Sequence, residues 1–298
     1  MTRLNIKGEL REWERPLVMG IINVTPDSFY AESRIHIDCV GETASAMVEA
    51  GCDILDLGGY SSRPGADNVT EKEECERLIP AIKAIREAVG PDMPVSIDTF
   101  RASVAEACIS AGADIINDIS GGDLDHEMFD AVSRLKAPYI MMHTRSTPAD
   151  MQRFTDYDDI TADVIRDLAF KLDKMHQLGV ADIIIDPGFG FAKTLDQNYR
   201  LMAELQAFKS LGCPILAGIS RKSMIYKELG TTPQESLNGT TALNMAALLN
   251  GADILRVHDV KEAVETVRIY EAIKRNSPAG KRIITESGKE SERKANVI

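Results

Sequence analysis

The chain predicts an α/β fold, a single-domain (β/α)8 TIM barrel with its active site at the C-terminal ends of the strands. Two observations carry that expectation. Eight short apolar runs each stop on polar residues, and a helical pattern follows nearly every one. Runs this short, bounded by turn formers, read as buried strands rather than helices. The links from each helix into the next run are also short, as tightly wound α/β units require. Eight such units close most naturally into a barrel, whose strand ends converge on one mouth.

The first strand covers about 17–22 and stops on Asn23. A long loop then leads to about Asp38, and a helix runs through Ala44, Met47 and Val48 to Gly51. The second strand ends near Asp56 and opens into a glycine-rich loop, Gly58 to Gly65. Thr70 and Glu73 form a capping box for the next helix, which Gly90-Pro91 closes. PVSI ends on Asp98, a helix over about 101–110 stops at Gly112, and ADII ends on Asn117 and Asp118. YIMM ends on His143. From Asp158, the apolar residues Ile160, Val164, Leu168, Leu172, Met175 and Leu178 recur at helical spacing until Gly179. DIII ends on Asp186, and ILAGI ends on Ser220, Arg221 and Lys222. A helix over about 235–250 carries Leu237, Leu243, Met245, Ala246 and Leu249, ADIL ends on Arg256 with His258, and the last helix follows Val260. The barrel with its short polar N-terminal lead is expected to occupy residues 1–284, and the charged, aperiodic 285–298 to form a flexible tail.

Composition narrows the function classes. A hydrophobic fraction of 44% with 27% charge is that of an ordinary globular protein. No apolar stretch approaches the roughly 18 residues of a membrane span, and MTRLNIKGELREWERP lacks the apolar core of a secretory signal. A cytoplasmic location is the expectation. A net charge of −12 disfavours nucleic-acid binding, so an anionic ligand must be met by a local cationic cluster. Cys39, Cys52, Cys75, Cys108 and Cys213 are odd in number and widely spaced, which suits reduced, mostly buried thiols.

The polar stops form a chemical set. Asp56, Asp98, Asp118 and Asp186 end apolar runs, where an unpaired charge is expensive, so each needs a partner. For any one aspartate, loop capping competes evenly with function. The available cations are Arg63, Arg221 or Lys222, and Arg256 with His258. Barrel phosphate sites often use the loops after strands seven and eight, where arginine supplies a bidentate fork. Arg256 and His258 lie on one strand face, which suggests a shared acceptor; salt bridging suits Arg221 better. Asn117 and Asp118 must point opposite ways, as must Arg221 and Lys222. Lys222 is open to two readings, a Schiff-base nucleophile or a donor to a ligand carbonyl or ring nitrogen. Without metal-ligand spacing, His143 reads as a satisfied strand-end histidine.

The ordered segments NVTPDSF, DLGGYSSRPGA, SIDTF, INDISGG, IIIDPGFGFAKT, GISRKSMI and RVHDV closely resemble the dihydropteroate synthase family of pterin-binding barrels. That resemblance implies a transferase of folate biosynthesis. Such an enzyme joins p-aminobenzoate to 6-hydroxymethyl-7,8-dihydropterin pyrophosphate with Mg2+, works as a homodimer, and is the target of sulfonamides. By matching motif, Asn23, Asp98, Asn117, Asp186, Lys222, Arg256 and His258 would bind pterin and diphosphate. Asp98, Lys222 and Arg256 would be catalytic and Asn23 would hold the metal. Thr25, Pro26, Asp27, Ser28 and Phe29 of the first loop, Ser61, Ser62, Arg63 and Pro64 of the second, and Phe191 and Ser223 would surround p-aminobenzoate. Tyr60 and Ser62 depart from the family's usual acidic residue and threonine, and HTRST departs from its usual pattern after strand five. Other readings are a methyltetrahydrofolate-dependent methyltransferase, a lysine aldolase, or a pterin-binding paralogue without catalysis.

Overall fold

The computed structural model describes residues 2–24, 33–60, 69–147 and 150–277. Thr25 to Phe29, Ser61 to Pro64 and the expected tail at 285–298 lie outside the described residues. Ten strands are described: β1 Thr2–Ile6, β2 Glu9–Trp13, β3 Leu17–Asn23, β4 Ile54–Gly58, β5 Val95–Asp98, β6 Ile115–Asp118, β7 Tyr139–Met142, β8 Ile183–Asp186, β9 Leu216–Ala217 and β10 Ile254–Val257. The described helices are α1 Ser33–Glu49, α2 Glu71–Val89, α3 Ala102–Ser110, α4 Met128–Leu135, α5 Ile160–Gln177, α6 Leu195–Ala203, α7 Ser223–Leu229, α8 Leu237–Leu249 and α9 Val260–Asn276.

Eight parallel strands form one sheet in the order β8-β7-β6-β5-β4-β3-β10-β9. A parallel bridge between Ile185 and Ile215 joins its two edges, so the sheet closes as the expected barrel. Period-two geometry then divides every strand. Leu55, Leu57, Val95, Ile97, Ile116, Met141, Ile185, Ala217, Leu255 and Val257 face outward into the helix-packed core. Leu17, Met19, Ile54, Ile115, Ile140, Ile184, Leu216 and Ile254 face inward and make a separate apolar layer low in the barrel.

The N-terminal lead, read from the sequence only as polar, forms a hairpin. β1 and β2 pair antiparallel through a turn at Lys7 and Gly8, both at positive φ as a tight hairpin turn demands. Alternation in β1 buries Leu4 and Ile6 beneath the inner apolar layer, while Asn5 N–H donates to Asp182 Oδ1 at 2.8 Å. The hairpin therefore stoppers the end of the barrel away from the mouth.

Helix punctuation largely follows the sequence. Thr70 and Glu73 complete the expected capping box of α2, and Gly90 caps its end at positive φ. Thr194 and Gln197 form a second box, not anticipated, on α6. α1 begins at Ser33, earlier than the expected loop to Asp38 allows. α8 also departs from expectation: Thr240, Asn244, Ala247 and Leu248 are its buried residues, while Leu249 is exposed. Its sequence is apolar on nearly every side, so periodicity could not choose a face. All five cysteines are free, but only Cys52 and Cys108 are buried. No helix among the described residues is long and apolar enough to cross a membrane.

If the hairpin stoppers the barrel, Leu4→Ala should destabilise the protein by about 2–5 kcal/mol, as buried leucine truncations do. Leu10→Ala on the exposed side of the same hairpin should cost no more than about 0.5 kcal/mol. Denaturant midpoints of the two variants check this; equal, small effects would show that the hairpin only decorates the barrel.

Candidate active site

Above the inner apolar layer, the same alternation brings polar residues inward. Two residues beyond Ile54, Ile115, Ile184 and Ile254 stand Asp56, Asn117, Asp186 and Arg256, and Asp98 follows Ser96 by the same step. Strand register aligns Gly58 with Asp98 and Asp98 with Asn117, so these positions share one level. Gly58 and Gly218 leave this floor open. A Cβ on Gly58 would lie 3.5 Å from Asn23 Oδ1 and 3.6 Å from Asp98 Cβ. One on Gly218 would lie 3.5 Å from Asp186 Oδ2 and 3.9 Å from Arg256 Cβ.

Arg256 is the electrostatic centre. Its Nε donates to Asp56 Oδ2 at 2.6 Å and its Nη2 to Asp98 Oδ2 at 2.6 Å. Asp56 also accepts from Asn117 Nδ2 at 3.2 Å, which fixes the amide and turns Asn117 Oδ1 away from Asp56. Asp186 accepts from Gly188 N–H at 2.8 Å. Lys222 Nζ donates to the Phe189 carbonyl at 2.6 Å and sits 4.6 Å from the centroid of the Phe191 ring. Ser220 Oγ accepts from His258 N–H at 3.2 Å and lies 3.0 Å from His258 Nδ1.

Burial drives the titration of the group. Asp98 is pushed up to about 7 by desolvation, with Arg256 opposing and Asp56 adding to the rise. Asp186 is raised by burial against the pull of Lys222. Lys222 is lowered to about 8 by burial, with Asp186 opposing. Burial also works against the charge on Arg256, but Asp56 and Asp98 outweigh it and its pKa lies above the ordinary value.

Asn23, Asp98, Asn117, Asp186, Arg256 and His258 thus stand at or just past strand ends on one side of the barrel, and Lys222 caps the helix that follows β9. Phe191 joins Lys222 there, and Ser223 opens α7 directly behind it. Within the protein Arg256 takes two aspartates, while His258 meets Ser220. Two sequence readings are corrected. Asp56 sits inside β4 rather than at its end and is fully buried beneath Arg256. Asp118 faces outward, held by Tyr139 Oη at 2.7 Å, Ser120 and Gly122 N–H, and needs no cation.

Arg221 forms a bidentate pair with Asp259. His143 is buried and bonded, as expected for a satisfied histidine, but its partner, Lys193, escaped the sequence reading. A lysine beside a capping threonine looks like surface. The only available signal was its place in a loop too apolar and glycine-rich to leave it solvated.

A divalent cation that prefers oxygen ligands and keeps most of its water needs few protein donors. Among the described residues no group of three or more His, Cys, Asp or Glu could hold a metal. Asn23 offers an amide oxygen at the mouth beside Asp98, a donor set that fits Mg2+ held mainly by a phosphorylated ligand.

A closed parallel barrel whose mouth carries carboxylates, an amide, a lysine and an arginine has the architecture of an enzyme that reads a flat, hydrogen-bonding heterocycle. The chain belongs to the pterin binding enzyme family, which it matches over residues 19–258. Within that family it is 44% identical over 275 residues to the dihydropteroate synthase of Synechocystis sp., covering 91% of this chain and 94% of that one. A crystal structure of Yersinia pestis dihydropteroate synthase with a sulfonamide drug superposes with a TM-score of 0.85 at 37% identity, covering 93% of this chain and 100% of that one. The Xanthomonas albilineans dihydropteroate synthase in complex with 7,8-dihydropteroate gives 0.81 at 33% identity, covering 93% and 100%. The family resemblance read from the motifs is therefore borne out.

The raised pKa of Asp98 has a stability consequence. An unfolded aspartate titrates near 3.9, so the folded state holds this proton more tightly and ionised Asp98 opposes folding. That cost is absent below about pH 4, grows as pH rises, and is complete above about 7. Asp98→Asn should match the wild type in thermal stability near pH 4 and exceed it at pH 8. A variant less stable than wild type at pH 8 would mean that the Arg256 pair outweighs desolvation.

Proposed function

We propose that this chain is a dihydropteroate-forming transferase, joining p-aminobenzoate to 6-hydroxymethyl-7,8-dihydropterin pyrophosphate with release of pyrophosphate. The observation that carries this reading is the convergence of Asp98, Asn117, Asp186, Lys222 and Arg256 on one barrel mouth. A relative of similar fold binds 7,8-dihydropteroate, the product this reaction would release.

The chemistry suits these residues. An aminopyrimidine edge presents paired N–H donors that the Asp186 carboxylate can accept, with the Asn117 amide beside it. Lys222 can donate to a ring nitrogen or carbonyl, and Arg256 offers a planar guanidinium for stacking. Loss of pyrophosphate breaks the bond between the pterin methylene carbon and its oxygen; both electrons leave with oxygen, so positive charge develops on the pterin. Asp98 is the carboxylate best suited to stabilise that charge, because its burial strengthens the interaction and Arg256 fixes its geometry. The arylamine nitrogen, already unprotonated at neutral pH, then bonds to the carbon and releases its proton, so no strong base is required.

Phe191, Lys222 and Ser223 would border p-aminobenzoate. Asn23 and His258 would face the diphosphate, with Asn23 contributing an oxygen to Mg2+. When bound, that ion would neutralise charge on the departing pyrophosphate. Assembly as a homodimer and a cytoplasmic setting belong to the same reading.

A coupled assay of pyrophosphate release with both substrates and Mg2+ tests the reaction; no dihydropteroate from folded protein would overturn it. Asp98→Asn should lower kcat by about 100- to 1,000-fold, the scale of losing one preorganised electrostatic contact. Binding of the pterin diphosphate should change far less. Equal losses in turnover and binding would assign Asp98 to ground-state recognition instead.

A further inference from the structure

The segment from Pro187 to Lys193 links β8 to α6 and carries both groups that touch the Lys222 ammonium: the Phe189 carbonyl and the Phe191 ring. Its backbone is unusual. Gly188, Gly190 and Ala192 all have positive φ, at 73°, 83° and 49°. A Cβ on residue 188 would lie 2.0 Å from the His143 carbonyl oxygen, so that position admits only glycine. Ala192, fully buried, adopts a conformation that disfavours an L side chain and persists only where surrounding contacts impose it.

Lys193 supplies those contacts from within. Its side chain is buried at 3% exposure and turns back beneath its own loop. Nζ donates to the Gly188 carbonyl at 2.9 Å and the Phe191 carbonyl at 3.0 Å, and lies 3.1 Å from His143 Nδ1 at the end of β7. An ammonium has three N–H donors, and here three acceptors meet it. His143 is suited to accept, because burial first, then Lys193, Lys171 and Arg145, hold its ring neutral. Tyr157 adds a tether from outside by donating to the Ala192 carbonyl at 3.0 Å. Among the described residues Lys193 forms no ion pair, so its placement is not explained by charge pairing. A buried lysine costs the fold free energy; what it secures is the path of this one loop.

We infer that Lys193 is a positioning residue for the transfer reaction: by clamping the carbonyls of Gly188 and Phe191 to the end of β7, it sets the Phe191 wall of the arylamine subsite. The inference rests on the proposed function for the identity of that subsite. Burial lowers the Lys193 pKa to about 7, with Asp186 opposing, so the clamp holds its proton loosely near neutrality.

Lys193→Met removes the donors while keeping most of the volume. It should raise KM for p-aminobenzoate at least tenfold and change the affinity for pterin diphosphate alone less than threefold. Amide hydrogen exchange should quicken across residues 187–193 and stay unchanged in α2 and α5. In a Phe191→Ala background, adding Lys193→Met should raise KM less than threefold further, because the wall it positions is gone. A full multiplicative effect in that background, or an unchanged KM, would overturn the inference. If Lys193→Met does not fold, Tyr157→Phe loosens the same loop. It should raise the same KM two- to fivefold, again only when Phe191 is present, and an unchanged KM would overturn the inference. Should the wild type form no dihydropteroate, the function reading fails on its own. Unchanged exchange at 187–193 in Lys193→Met would then still refute the clamp.

Discussion

The guanidinium of Arg256 lies between Asp56 and Asp98, and the upper barrel is arranged around that contact. Three inner strand faces meet in it, those of β4, β5 and β10. Removing the arginine from a buried arrangement of this kind typically costs about 3–5 kcal/mol, because its carboxylates are stranded. Asp56 does double duty, since the carboxylate that holds Arg256 also holds the Asn117 amide. The orientations of an arginine, a second aspartate and an asparagine therefore depend on one fully buried side chain that need not touch a ligand.

The barrel and most of its mouth could be read from sequence because period two is strict in a closed parallel sheet. Once Ile54, Ile115, Ile184 and Ile254 are inward, Asp56, Asn117, Asp186 and Arg256 must be inward as well. The same rule turns Asp118 outward, where Tyr139 and backbone donors meet it. Strand ends announced themselves by the change from apolar to polar. The N-terminal hairpin did not, because its strands are only five residues long and set few apolar residues among polar ones, as a solvated lead does.

Partner choice was less legible, for a physical reason. Sequence spacing says which face a residue occupies, but ion pairs form between strands distant in the chain. Arg256 and His258 share a face, yet a guanidinium long enough to reach across the barrel finds Asp56 and Asp98, while the shorter imidazole stays with Ser220 beside it. Arg221 and Lys222 are adjacent, yet positive φ at Arg221 sends its side chain to Asp259 and leaves Lys222 over Phe191. Lys193 was hidden altogether, because only the folded loop reveals that three acceptors converge on it.

Charge balance connects this architecture to the proposed chemistry. Among the described residues, three carboxylates, Asp56, Asp98 and Asp186, face Arg256 and Lys222, and Lys193 acts on Asp186 from beneath its loop. Burial dominates the carboxylates: Asp98 and Asp186 are pushed towards their neutral forms rather than stabilised as anions. A neutral heterocycle would not relieve that push, but a heterocycle that becomes cationic as its leaving group departs would. The site is then least satisfied at rest and best satisfied at the moment of bond breaking, which is the condition for binding energy to lower a barrier instead of deepening the ground state. In the proposed reaction the departing diphosphate, being anionic, would lie away from these carboxylates, towards the rim where Asn23 and His258 stand. In that reading, the separation of a cation-seeking floor from the rim gives the strand-end pattern a chemical direction.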